Sequence, residues 1–339
     1  MSGDRRAPRA GDVVEVRGRE EILATLNRDG ALGGLPFMPE MLAYCGRSFR
    51  VAKRADKTCD TVQDSGLRRM VHTVHLEGTR CDGSGHDGCE AACQIFWKED
   101  WLRHPGTGPA RAAGGAVGCC DADLSTGTRR PAPDGGEPLY RCQATDLREA
   151  STPLSTWSPS QYVRDIRSGN AGLRDIVRSA LWNAARWARS HLRGYRIQVW
   201  LFNHVQRMRG GSPLMQVGTE RKRTPSATLG LTPGDLVEVK SLDEIVATLD
   251  PDQRNRGLYF DQEMTPFCGG RFAVRSRVNR IINEKTGRMI TIPGDCVILE
   301  DVFCTGRYHA CCPRAIFPYW REIWLRRVPD SAAGAAASP

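Results

Sequence analysis

The sequence predicts a mainly β protein with an α-helical connector, in which two homologous small β-barrels lie one near each end of the chain. Three observations predict this. Residues 11–103 align with 234–326 at a constant offset of 223, without a gap and with 34 identities in 93 positions, which marks an internal duplication of two copies rather than a solenoid. Within each copy, short alternating stretches are separated by glycine turns, the pattern of a small, partly open barrel. Between the copies, apolar residues recur at helical spacing from Leu173 to Ala188.

Residues 1–10 are polar and basic and predict no fixed structure. Gly11-Asp-Val-Val-Glu-Val16 alternates as a strand, and a short helix is expected over 19–27. Its counterpart in the second copy opens on the capping box Ser241-Leu-Asp-Glu244, whereas the first has Gly18 at the cap. Residues 49–51 and 74–76 read as further strands, with a turn around Asp64-Ser-Gly66 matched by Lys285-Thr-Gly287. Residues 97–102 close the first copy (11–103) as an alternating strand that sets Trp97 and Trp101 on one face, as Trp320 and Trp324 are set in the second copy (234–328). Such a stripe usually belongs to a core; an aromatic groove for peptide or bases is the sharper alternative.

Residues 104–158 are rich in Gly, Pro and Ala and read as an insertion, one long enough to need something that pins it. Helix resumes with Ser158 as N-cap and Pro159 at the first helical position, and Gly194 offers an end. The connector, 159–223, carries 13 Lys and Arg against Asp165, Asp175 and Glu220. Residues 329–339 form an Ala-rich tail without a core.

The duplication also selects chemistry. Cys81, His86 and Cys89 fall within nine residues and return as Cys304, His309 and Cys312. Cys45 precedes Cys81 by the same 36 residues that separate Cys268 from Cys304. Each copy thus offers three cysteines and a histidine, a full tetrahedral shell for a structural zinc ion with no position left for water or substrate. His72, His75, His104, His191 and His204 have no counterpart and read as surface or packing residues.

The remaining cysteines break the symmetry. Cys59 and Cys93 face Ile282 and Ile316 in the second copy, and Cys119, Cys120 and Cys142 lie in the insertion. A third metal held by Cys59, Cys93, Cys142 and either Cys119 or Cys120 would pin that insertion; adjacent buried cysteines serving as small hydrophobes are the alternative. No phosphate-cradling Gly loop, nucleophile elbow or zincin motif occurs. The sequence therefore reads as a zinc-stabilised binding or scaffold protein, accessory to an enzyme or a nucleic-acid complex, and leans away from catalysis. The rival is a metal- or thiol-dependent enzyme centred on Cys59.

A hydrophobic fraction of 40% with no apolar run long enough to span a bilayer, and no signal peptide behind Met1, leads us to expect a cytoplasmic protein. There 13 cysteines argue for metal rather than disulfides. The basic, tryptophan-bearing connector suits either phosphate backbones or an anionic membrane surface, which would make the protein a peripheral adaptor on the inner membrane face.

The opening Gly-Asp-x-Val-Glu-Val resembles the first strand of Src-homology-3-like barrels found in ribosome- and transcription-associated domains. More of the chain, including Lys57-Thr-Cys-Asp-Thr61, Tyr140-Arg-Cys-Gln-Ala144 and Pro318-Tyr-Trp-Arg-Glu-Ile-Trp324, is similar to a bacterial family of duplicated zinc-binding barrels, some encoded near biosynthetic genes. That resemblance implies no activity.

Overall fold

Alternation at Val13–Val16 buries Val14 and Val16 and turns Val13 outward, and the first sheet is built around this strand. In the computed structural model it pairs antiparallel with Ser48–Arg54 on one side and Leu102–Arg103 on the other. Thr73–Leu76 and then Trp97–Lys98 extend the sheet beyond Ser48–Arg54 to five strands. The second sheet has the same order: Trp320–Arg321, Cys296–Leu299, Arg271–Arg277, Leu236–Val239, Leu325–Arg327. Even a bulge recurs, between Val51 and Lys53 in one and Val274 and Ser276 in the other, bending the long strand at the same place. The structure describes residues 6–63, 66–106, 119–191 and 223–329, with a few positions between 200 and 218. Among these no barrel closes. Trp97–Lys98 and Leu102–Arg103 form opposite edges of the first sheet, although only a 3-10 turn, Glu99–Trp101, separates them in sequence.

That turn corrects the expectation of one alternating strand over 97–102, while the expectation that the stripe belongs to a core holds. Trp97, Trp101, Trp320 and Trp324 are all 0% exposed, so the aromatic groove is not there. The cores match side chain by side chain. Phe37 meets Trp101 edge-on at 5.1 Å and Phe260 meets Trp324 at 5.2 Å. Each indole N–H donates to a threonine, Trp101 to Thr25 Oγ1 at 3.1 Å and Trp324 to Thr248 Oγ1 at 2.9 Å, which satisfies the one polar atom the ring buries. Helix α1 (Arg19–Leu23) is shorter than the stretch 19–27 expected; Glu21 accepts from the Gly18 N–H, standing in for the missing cap side chain. In the second repeat Ser241 and Glu244 form the capping box on Leu242–Val246.

The chain divides into two compact units. The first comprises residues up to Val177 together with two pieces of the second repeat, Arg280–Ile290 and His309–Ala315; the second comprises Arg178–Asn279, Thr291–Tyr308 and the residues from Ile316. Repeat boundaries and unit boundaries therefore differ. Within the first unit two contacts are reciprocal: the Cys59 N–H donates to Cys312 Sγ at 3.2 Å, and the Ile282 N–H to Cys89 Sγ at 3.4 Å. Cys59 and Ile282 are equivalent positions, as are Cys89 and Cys312.

The described part of the insertion has its own elements: α2 (Asp121–Thr126), and Thr152–Leu154, which pairs with Leu67–Arg69. Leu124 and Leu147 enter the core. Gln143 accepts from the Phe96 N–H at 2.8 Å and donates to the carbonyls of Phe96 and Pro36, so one buried side chain occupies three backbone groups. The described part of the connector holds α3 (Pro159–Ser168), with Ser158 at the N-cap position and Pro159 at its start as expected, although the Ser158 side chain makes no capping bond, and α4 (Leu173–His191), with Gly169 in the left-handed region between them (φ 75). Residues 6–10 are placed rather than free: the Ala10 N–H donates to Ser168 O, and Pro8 O accepts from Arg54. No helix of the described residues is long and apolar enough to cross a membrane. Residues 1–5, the helix end expected at Gly194 and the tail beyond 329 lie outside the described residues.

Candidate metal centre

The loop from Cys81 to Cys89 is shaped by backbone. The Cys81 N–H donates to Cys93 O and the Cys89 N–H to His86 O. Gly83 takes a positive φ of 75, and a Cβ there would lie 2.1 Å from Cys89 O, so only glycine lets the two ends approach. The second loop carries the same bonds, Cys304 to Ile316 O and Cys312 to His309 O, and Gly306 has φ 76.

This turn sets Cys81 and His86 against Glu40 from the 3-10 helix Pro39–Tyr44. The Cys81 thiol donates to Glu40 Oε1 at 3.0 Å, and His86 Nδ1 lies 3.2 Å from the same oxygen. His86 Nε2 is 3.0 Å from the Arg141 carbonyl, and since a carbonyl only accepts, Nε2 carries the proton. Nδ1 is left as the lone-pair nitrogen, with a backbone acceptor orienting the ring in the manner of metal-ligating histidines. His86 is 1% and Glu40 7% exposed, yet His86 Nδ1 and Glu40 Oε2 have no aligned hydrogen-bond partner. Buried polar atoms left without partners in a cluster of thiol, carboxylate and imidazole are what an ion would satisfy. Glu40, Cys81 and His86 could hold a metal ion, and with a carboxylate, a thiolate and a neutral imidazole a divalent ion leaves the buried set without net charge.

The titration behaviour agrees. Burial, with Glu40 beside it, pushes the Cys81 thiol up, so its thiolate needs a cation. Burial alone would lower His86, but the Glu40 carboxylate more than offsets this and holds it above its ordinary value. A proton and a metal therefore compete for Nδ1.

Of the other expected ligands, Cys89 lines a cavity of about 30 Å³ shared with Cys81, His86, Cys93 and Cys142, room for about one water-sized body. Cys45 packs half-buried against the first core and Cys268 against the second, and burial pushes Cys268 up to about 12. Glu40 was missed because only Cys and His were sought. It was findable, since it recurs as Glu263 under the same offset. Under that offset the second repeat's residues matching Glu40, Cys81 and His86 are Glu263, Cys304 and His309. Glu263 is engaged further, accepting from the Thr305 N–H at 2.9 Å and the Tyr308 N–H at 2.6 Å.

The extra cysteines divide. Cys93 and Cys142 join the cavity, and burial pushes Cys142 up to about 12. Cys119 sits in the core beside Leu124, and Cys120 is exposed ahead of α2; neither lines the cavity. Cys59 instead meets Cys312, and their hydrogen bond holds the Cys312 thiol below its ordinary value. Cys312 is 2% exposed and closed to a substrate. Arg314, also buried, lies beside Cys59, Cys93 and Cys312 and pairs with Glu284 at 3.1 Å.

No protein-family model, curated protein or solved structure matches this chain.

Proposed function

We propose that the chain is a zinc-stabilised tandem-repeat binding or scaffold protein, each repeat a half-open Src-homology-3-like barrel whose ion fastens the loop 81–89 or 304–312. The orphaned His86 Nδ1, beside a buried carboxylate that also meets the half-buried Cys81 thiol, supports this reading most. A soft thiolate and an imidazole select zinc over magnesium or calcium. In the first repeat Cys81, His86 and Glu40 supply three donors, and one of the thiols of Cys89, Cys93 and Cys142 completes the shell. Four protein donors leave no open position, so the ion would hold structure rather than carry out chemistry. Zinc would supply a fixed crosslink there. What this chain's residues contribute is charge balance from Glu40 and orientation of His86 by the Arg141 carbonyl. The face of α4 that exposes Leu173, Val177, Leu181 and Trp187 is the surface offered to a protein partner or a nucleic-acid complex.

Cobalt tests the donor set. The metal-stripped full chain titrated with Co2+ should develop thiolate-to-cobalt charge-transfer absorption, and Cys81→Ser should lose roughly half of it, one of two sites. Cobalt uptake without a sulfur band, or a band untouched by Cys81→Ser, would show that the ligands are elsewhere.

A further inference from the structure

Away from the thiols, the first unit has an open cleft of about 340 Å³ whose lining includes Arg6, Arg9, Arg54, Arg69, Arg164 and Arg167 against the single carboxylate of Asp56. Arg54 is committed: it pairs with Asp56 and Glu99 at 2.7 and 2.6 Å. Arg6 only approaches Asp12, at 4.0 Å. Arg9, Arg69, Arg164 and Arg167 have no carboxylate partner among the described residues. Like charges gathered without counter-charge repel one another, a cost that an anion relieves.

The walls are fixed in place. Pro8 O accepts from Arg54 at 2.8 Å, the Ala10 N–H donates to Ser168 O at 3.0 Å, and the Asn170 side chain bonds both the N–H and the carbonyl of Arg54. The duplication supplies a control. Matched by backbone hydrogen bonds, Arg9 falls on Thr232, Arg69 on Thr291 and His72 on Asp295, while Arg54 and Glu99 recur as Arg277 and Glu322. Both repeats keep this ion pair, whereas the exposed Arg9 and Arg69 occur in the first alone. Arg167 also suits the negative end of α3, but Arg9 and Arg69 belong to no helix.

We infer that this cleft binds a small polyphosphate, two or more linked phosphate groups free or carried on a nucleoside. Guanidinium forks match phosphate oxygens and stay charged at every physiological pH. The volume lies at the lower end of small-molecule sites. No Phe, Tyr or Trp lines the cleft and His72 is the one ring in its lining, too little to stack the successive bases of a single strand. The inference does not rest on the metal.

Calorimetry of the metal-loaded full chain at low salt tests it, with inorganic tripolyphosphate, orthophosphate and a single-stranded oligonucleotide as probes. Tripolyphosphate should bind at least tenfold more tightly than orthophosphate, and Arg9→Thr with Arg69→Thr should weaken it tenfold or more. Both substitutions import residues that the second repeat carries at the matching places, and unchanged metal content and circular dichroism would verify the fold. No tripolyphosphate binding by the wild type at millimolar concentration, or equal binding by the double variant, overturns the proposal. So does an oligonucleotide that binds more tightly than tripolyphosphate and is not displaced by it, which would assign the cleft to a nucleic-acid backbone.

Discussion

Cys81→Ser combined with His86→Gln is expected to remove one metal ion per chain and to lower the melting temperature of the first unit by roughly 8–16 °C. An ion at a thousand times its dissociation constant stabilises the folded state by about 4 kcal/mol, and in a unit of this size each kcal/mol moves the midpoint by about 2–4 °C. The double variant should fall as far as the wild type does under chelation, and chelation should then move it little further in this unit. Acid should mimic both. Glu40 holds His86 above its ordinary value, and metal binding needs the imidazole neutral, so the ion's contribution is present at alkaline pH and lost as pH falls through that raised value. Differential scanning calorimetry with and without chelator, at pH 8 and pH 6, measures all of this. Equal melting of the variant and the metal-loaded wild type would remove the ion from the account of stability.

Leu147→Ala should cost about 2–5 kcal/mol, the usual range for emptying a fully buried leucine site, because Leu147 is 0% exposed in the first core. It should also expose 119–158 to limited proteolysis while leaving metal content unchanged. Cys120→Ser, at an exposed position, should do neither. Proteolysis followed by mass spectrometry reads the difference. If Cys120→Ser frees the segment and Leu147→Ala does not, a thiol-held ion pins the insertion after all.

That contrast shows where the sequence was legible. An offset of 223 exposed the repeat because duplicated side chains do duplicated work. Phe37 and Phe260, Thr25 and Thr248, and the bulges at Val51 and Val274 occupy matching places. Cys81 and His86 were legible for the same reason. What a single chain could not show is which distant segments share a surface. Gln143 reaching Phe96, Cys59 meeting Cys312, and Arg9 facing the same cleft as Arg69 and Arg164 are products of topology, with no local spacing to reveal them. The Trp97 and Trp101 stripe belongs to the core, as such stripes usually do, but the single alternating strand expected over 97–102 is interrupted by a 3-10 turn at Glu99–Trp101.

Metal content of the full-length protein, purified without chelator and determined by elemental analysis alongside native mass spectrometry, tests the central claim most directly. The account predicts two zinc ions per chain, one of them lost in Cys81→Ser with His86→Gln. Protein that is folded and free of metal, or whose zinc survives that double substitution in full, contradicts it.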